Sequence, residues 1–315
     1  MQHLFRHILV PLDPSPLSES ALDAAVTLAA AFGARVTLLR VIEAECVAGE
    51  VQAHDPLQTA LHGAQARAHL AHLAAGFRAR GVAVETEVMV GDPAVQILAC
   101  LREQGADLLV LCSHGQGGPG LWCLGGQAGK LLLLAHVSVL LVRPGGHDRP
   151  GPVLVPLDGS SRAEHALPVA RLVAQARGTP VVLAHILTVP ELPRHVPHTP
   201  HEQDLVQQLS ALNRSAMERY LEDTAAHSAA EDLFDTLLLD SHHVVEALHD
   251  LIAREEIGLV VMSAHGHSGL RRWPYGSAAL NLLTYAEVPV LIVQDLSPHE
   301  IGAGAAQDTR PPAGH

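Results

Sequence analysis

Short apolar runs alternate with longer stretches whose apolar residues recur at helical spacing, and this alternation passes along the chain twice. In the first pass the strand-like runs fall near residues 7–12, 35–42, 82–89, 107–112 and 138–142. Between the first two, Leu22, Val26, Ala29 and Phe32 recur at three- and four-residue intervals, the stripe of an amphipathic helix. The second pass places strands near 153–157, 180–187, 234–239, 258–263 and 289–293. Helix-length segments near 57–80 and 202–228 separate the second strand from the third, each preceded by a looser stretch, 44–56 and 188–201. Strands that alternate with helices predict βαβ units, so the expected fold is α/β, two tandem doubly wound parallel sheets of five strands each.

The two passes can be aligned residue by residue. Val153-Leu154-Val155-Pro156-Leu157-Asp158 repeats Ile8-Leu9-Val10-Pro11-Leu12-Asp13 at an offset of 145, and Ser160, Glu164, Ala166 and Leu167 repeat Ser15, Glu19, Ala21 and Leu22. Further on, Gly266, Gly269, Trp273 and Gly276 repeat Gly115, Gly118, Trp122 and Gly125 at an offset of 151, so the second copy carries six extra residues in its middle. The chain's two tryptophans occupy equivalent positions, which points to duplication. Pro144-Gly145-Gly146-His147-Asp148-Arg149-Pro150-Gly151-Pro152 cannot continue a helix or a ladder and marks the boundary. The expected domains are 1–144 and 152–296, followed by a Gly/Ala/Pro-rich tail, 297–315, expected to be disordered.

Composition narrows the function classes. At 315 residues the chain can build two ordinary cores, and with aromatics at 3% those cores rest on Leu, Val and Ala. Twenty basic against 33 acidic residues give a formal charge of −13, which repels a phosphate backbone and argues against nucleic acid as a partner. The N-terminus runs straight into strand-like sequence, and no stretch of about 18 apolar residues suggests a membrane span. Cys46, Cys100, Cys112 and Cys123 lack paired CxxC spacing, so no zinc knuckle or disulfide framework is expected and a cytoplasmic location is the default.

Candidate chemistry gathers at the carboxyl ends of the strands, where open α/β sheets bind ligands. Asp158 ends the first strand of copy two, where a carboxylate can accept hydrogen bonds from a ribose hydroxyl or a base amino group. From position alone it also reads as an N-cap for a helix starting near Ser161. The loop from Ser263 to Ser277 contains Gly266, Gly269 and Gly276 and leads into a helix beginning near Ser277. The amides at that helix start, the Ser277 hydroxyl and the cations Arg271 and Arg272 form a natural anion site.

These residues resemble the universal stress protein family in tandem form, in which each domain has a strand ending in Asp and a later loop G-x2-G-x9-G-[ST]. Copy two keeps Gly266-x9-Gly276-Ser277 but has Ser263 where the family has its first glycine. Copy one departs further. Cys112 stands at the first glycine, Gly115-x9-Gly125 keeps the spacing, Gly126 replaces the hydroxyl residue, and Pro14 rather than glycine follows Asp13.

The resemblance implies an adenine nucleotide alpha hydrolase-like fold with strand order 3-2-1-4-5. It also implies binding of ATP or a related adenine nucleotide, with magnesium, and a role in stress response or signalling. Carried onto this chain, the cofactor-binding residues are Asp158, Gly266, Gly269, Arg271, Gly276 and Ser277, with Asp13, Gly115 and Gly125 as a weaker set in copy one. The family's last strand pairs antiparallel across domains, which implies an intrachain pseudo-dimer and allows a homodimer. Nothing marks a general base, so turnover is at most slow. The alternative is a scaffold of the same fold that binds no nucleotide.

Other features carry less. His195, His198 and His201 recur every three residues, but Pro197 and Pro200 prevent a helix from aligning them as metal ligands. His242, His243, His265 and His267 read as solvated polar residues. Trp122 and Trp273 read as packing anchors, and Cys112 as a small buried hydrophobe.

Overall fold

The computed structural model describes residues 4–43, 46–47, 50–51, 56–113, 126–144, 150–188, 199–227, 231–267 and 274–295. The first half runs β1 His7–Pro11, α1 Leu22–Phe32, β2 Arg35–Ile42, β3 Cys46–Val47, β4 Glu50–Val51, α2 Pro56–Ala79, β5 Val84–Val90, α3 Pro93–Gln104, β6 Leu108–Cys112, α4 Gly126–Leu134 and β7 Ser138–Val142. The second runs β8 Val153–Pro156, α5 Leu167–Arg177, β9 Val181–Leu187, α6 Pro200–Ala226, β10 Phe234–Asp240, α7 Val244–Arg254, β11 Leu259–Ser263, α8 Ser277–Tyr285 and β12 Val290–Val293. One-turn 3-10 segments, Ser18–Ala21 and Ala163–Ala166, precede α1 and α5. The predicted tail lies outside the described residues.

Each half orders its main strands 3-2-1-4-5, all parallel, and the two halves join edge to edge in one ten-stranded sheet, β10-β9-β8-β11-β12-β7-β6-β1-β2-β5. The seam is antiparallel, with Val290 opposite Leu141, Leu291 opposite Leu140 and Ile292 opposite Val139. Joining the two edges this way pairs backbone groups that would otherwise face solvent at the end of each sheet. The inner strands are largely apolar because both faces are covered, with Ile8, Leu9 and Val10 consecutive and fully buried, while the edge strands β5 and β10 carry exposed acids such as Glu85 and Asp235.

The two faces carry separate cores, and each core runs across both halves. On one face α1, α2, α5 and α6 contribute Val26, Leu70, Val173 and Leu221. On the other, α3, α4, α7 and α8 contribute Leu101, Leu131, Leu251 and Leu283. At the centre of the first face α1 packs directly on α5.

Arg143, buried just past β7, fastens the halves further by reaching the carboxyl end of α8. Its Nε donates to Ala286 O at 3.1 Å and its Nη2 to Leu283 O at 3.0 Å and to Thr284 O. A cation there meets carbonyls that the helix leaves unpaired. The aligned residue in copy two is Gln294, whose backbone N–H donates instead to Ser138 Oγ at 3.0 Å.

Two details depart from expectation. The stretch 44–56 contains the small antiparallel pair β3–β4, too short for its pattern to register in the sequence. Helix α6 starts with Pro200 under a capping box between Thr199 and Glu202, and at 27 residues it is longer than the 24-residue α2. Among the described residues, no helix is long and apolar enough to cross a membrane.

Candidate functional site

In each half the connectivity reverses beside the first strand, between β1 and β6 and between β8 and β11, the place where open α/β sheets form their ligand crevice at the strands' carboxyl ends. Asp158 follows β8 at this point. Its Oδ1 accepts from Ser160 N–H at 3.0 Å and from Ser160 Oγ at 2.6 Å, and its Oδ2 accepts from the backbone N–H of His267 in the loop after β11. The predicted N-cap role gives way to this arrangement. Ser160 Oγ takes the cap-like bond, from Ala163 N–H at 3.2 Å, because Asp158 sits too far ahead of the turn and reaches across the crevice instead.

Burial raises the Asp158 pKa, but the hydrogen bonds from Ser160 and His267 outweigh that effect and hold the carboxyl below its ordinary value. The carboxylate is therefore the working form. Three of its roughly four acceptor directions are taken within the protein, which leaves about one for a ligand.

Gly266 is required by this contact. A Cβ on residue 266 would stand 2.1 Å from Asp158 Oδ2, well inside contact distance. Gly159, directly after Asp158, has φ +79°, a conformation open to glycine and closed to the Pro14 that occupies the equivalent place. The loop's neck is tied by Gly276 N–H donating to Ala264 O at 2.7 Å, so that amide is already engaged. Gly276 then N-caps α8 in an extended conformation without a side-chain cap, and the exposed Ser277 opens the helix. The first-turn amides of α8 thus face the crevice end with a hydroxyl beside them, the arrangement that suits an anion.

Of the predicted site residues, Asp158, Gly266, Gly276 and Ser277 are brought to this one crevice. Gly269 and Arg271 of copy two, and Gly115 and Gly125 of copy one, lie outside the described residues, as do Trp122 and Trp273. Asp13 occupies the corresponding place in copy one, its Oδ1 accepting from Ser15 N–H at 2.8 Å.

Sequence reasoning missed three contributors. Arg40 of β2 donates Nη1–H to Leu12 O at 3.3 Å, and the aligned His185 of β9 donates Nδ1–H to Leu157 O at 2.7 Å. Each polar side chain braces the peptide just before the key aspartate. Their signal was available, since both interrupt apolar strands at the same offset of 145. Burial lowers the Arg40 pKa, and the neighbouring carboxylates of Asp13 and Glu19 oppose that fall. The third is His265, read above as solvated; it is 2% exposed and bonded to Asp295, so that expectation is corrected. A cleft of about 970 Å3 between α7 and α8, lined by Glu246, His249, Asn281 and Tyr285, contains none of the predicted site residues.

The chain matches the model of the universal stress protein family twice, over residues 4–143 and 151–294. The chain belongs to the universal stress protein family. It is 26% identical over 297 residues to a universal stress protein of Mycolicibacterium smegmatis, with 91% of this chain and 96% of the relative aligned. It is also 32% identical over 148 residues to the universal stress protein YxiE of Bacillus subtilis, which aligns over its full length with 44% of this chain. Among solved structures the fold resembles a universal stress protein from Archaeoglobus fulgidus at TM-score 0.67 and 18% identity, covering 93% of this chain and 99% of that one. It also resembles the functionally unknown PA1789 from Pseudomonas aeruginosa at TM-score 0.70 and 17% identity, covering 96% and 98%. The tandem universal stress protein architecture thus extends over nearly the whole chain.

Proposed function

We propose that this universal stress protein binds ATP or a related adenine nucleotide in its second domain, residues 152–296, and acts in a cytoplasmic stress-response or signalling role. The observation that carries this reading is the convergence of Asp158, Gly266 and the start of α8 with Ser277 on the crevice where the strand connectivity reverses. In it, the remaining acceptor direction of Asp158 takes a ribose hydroxyl or base amino group. The first-turn amides of α8, the Ser277 hydroxyl, Gly269 and Arg271 take the phosphates. Among the described residues no cluster of His, Cys, Asp or Glu suits a metal ion, so magnesium would enter chelated by the phosphates. The sequence marks no general base beside the loop, so the reading is one of binding rather than turnover. Copy one, with Pro14 after Asp13 and Gly126 in place of the hydroxyl residue, is weak or empty in this reading.

A scaffold that needs no nucleotide is the second reading. It is favoured by the closure of the crevice on itself, since Asp158 already bonds the loop and the Gly276 amide is spent on Ala264 O.

Titration calorimetry decides between them, using protein freed of bound nucleotide and an Asp158→Ala, Ser277→Ala double variant. Saturable binding of about one ATP per chain, lost in the variant, supports the nucleotide reading. Absence of binding by the intact protein, with and without magnesium, leaves the scaffold.

A further inference from the structure

Behind the Asp158 contact in copy two lies a second polar cluster, with His265 and Asp295 buried at its centre. His265 directly precedes Gly266, and its Nδ1–H donates to Asp295 Oδ1 at 2.8 Å. Its own peptide is clamped as well: Ser263 Oγ donates to His265 O at 2.7 Å and accepts from His265 N–H at 3.3 Å. The Asp295 side chain is 0% exposed; its Oδ2 makes no hydrogen bond and faces Arg162 Nε at 3.8 Å.

These residues come from three segments around the crevice. Arg162 lies between Asp158 and α5, His265 opens the glycine loop, and Asp295 follows β12. A buried carboxylate is costly unless it is paired, and the strand it follows is already complete at Val293. Copy one lacks two of the three residues: Leu17 aligns with Arg162 and Pro144 with Asp295, while His114, outside the described residues, aligns with His265. The buried carboxylate and its guanidinium partner are thus particular to copy two, while the histidine is common to both copies.

We infer that Arg162, Asp295 and His265 form a positioning triad for the nucleotide site, an inference that rests on the function proposed above. Asp295 fixes the His265 ring and with it the peptides from 265 to 267, so that Gly266 and the His267 N–H stand against Asp158. Arg162 ties the same carboxylate to the segment that follows Asp158. The triad touches no ligand itself; it sets the loop's entry angle before a nucleotide arrives.

Two readouts test it in the full chain: exchange of the His267 amide with solvent, followed by NMR, and ATP affinity by calorimetry. Asp295→Ala and His265→Ala are each expected to speed His267 exchange about tenfold and to weaken ATP about tenfold. His265→Asn, whose side-chain amide can stand where Nδ1 stands, recovers most of both. Arg162→Leu, the copy one residue, moves both in the same direction by about threefold. The Ser15 amide, bonded to Asp13 in copy one, stays unchanged and rules out general loosening.

His267 exchange and ATP affinity that remain within about twofold of native in both alanine variants would overturn the triad and leave it as core packing. Should Asp295→Ala fail to fold, the contrast between His265→Ala and His265→Asn carries the decision. If the intact protein binds no ATP, the proposed function falls. The exchange data then decide the triad alone, with acceleration in His265→Ala and recovery in His265→Asn supporting it and unchanged exchange overturning it.

Discussion

Asp13 and Asp158 end equivalent strands of a duplicated domain, yet the residues around them differ. Asp158 has a glycine after it at φ +79° and spans the crevice to the loop after β11. Asp13 has Pro14 after it and bonds Ser15 locally, with the buried guanidinium of Arg40 close enough for the carboxylate to raise the arginine's pKa. In copy two the aligned His185 braces the same backbone position without bringing an obligatory cation beside the aspartate. One strand end thus has a glycine beside its aspartate, while its duplicate has a proline there and a buried cation nearby. Duplication lets the two diverge because the shared sheet and cores hold both copies in place whichever one binds a ligand.

The sharpest way to break this comparison is a pair of glycine substitutions. Gly266→Ala drives a methyl into the Asp158 carboxylate, and ATP affinity is expected to fall about 100-fold, equivalent to roughly 3 kcal/mol of overpacking. Gly115→Ala at the aligned place should leave affinity unchanged, as calorimetry on the two variants would establish.

A second pair separates the halves by stability. Arg143→Ala strips three carbonyl contacts from the end of α8 and is expected to cost about 2–3 kcal/mol in urea unfolding. Ser138→Ala, which removes the single hydroxyl that accepts from the Gln294 N–H, is expected to cost about 1 kcal/mol.

The smallest effect is one of pH. The Asp158 carboxyl is held below its ordinary value of 3.8, so its contribution to stability is fully present above that value and is lost as pH falls through the lower folded pKa. Asp158→Asn removes this increment and flattens that part of the acid limb in a pH series of unfolding midpoints. An unchanged limb would mean that the bonds to Ser160 and His267 do not favour the charged form.

Much of this was legible because it was local. Runs such as Leu108–Cys112 and Val153–Pro156 read as strands from their apolar content alone. The internal repeat set the domain plan, and Asp158 with its glycine loop stood out by spacing. What escaped depends on contacts between distant segments. His265 looks like one more histidine in a chain of 22, since its partner Asp295 lies thirty residues on, past the last strand. Arg143 closes the first half in sequence but does its bonding in the second. The N-cap expected at Asp158 falls to Ser160 instead, whose Oγ stands nearer the turn, while Asp158 bonds both Ser160 and the distant His267.

The central claim is that the nucleotide site belongs to copy two, and photolabelling with an azido-substituted ATP followed by peptide mapping tests it directly. Label competed by ATP should fall on peptides from residues 152–296. Competed label concentrated in residues 1–144 would contradict the account and place the working site in the copy with Pro14 and Gly126.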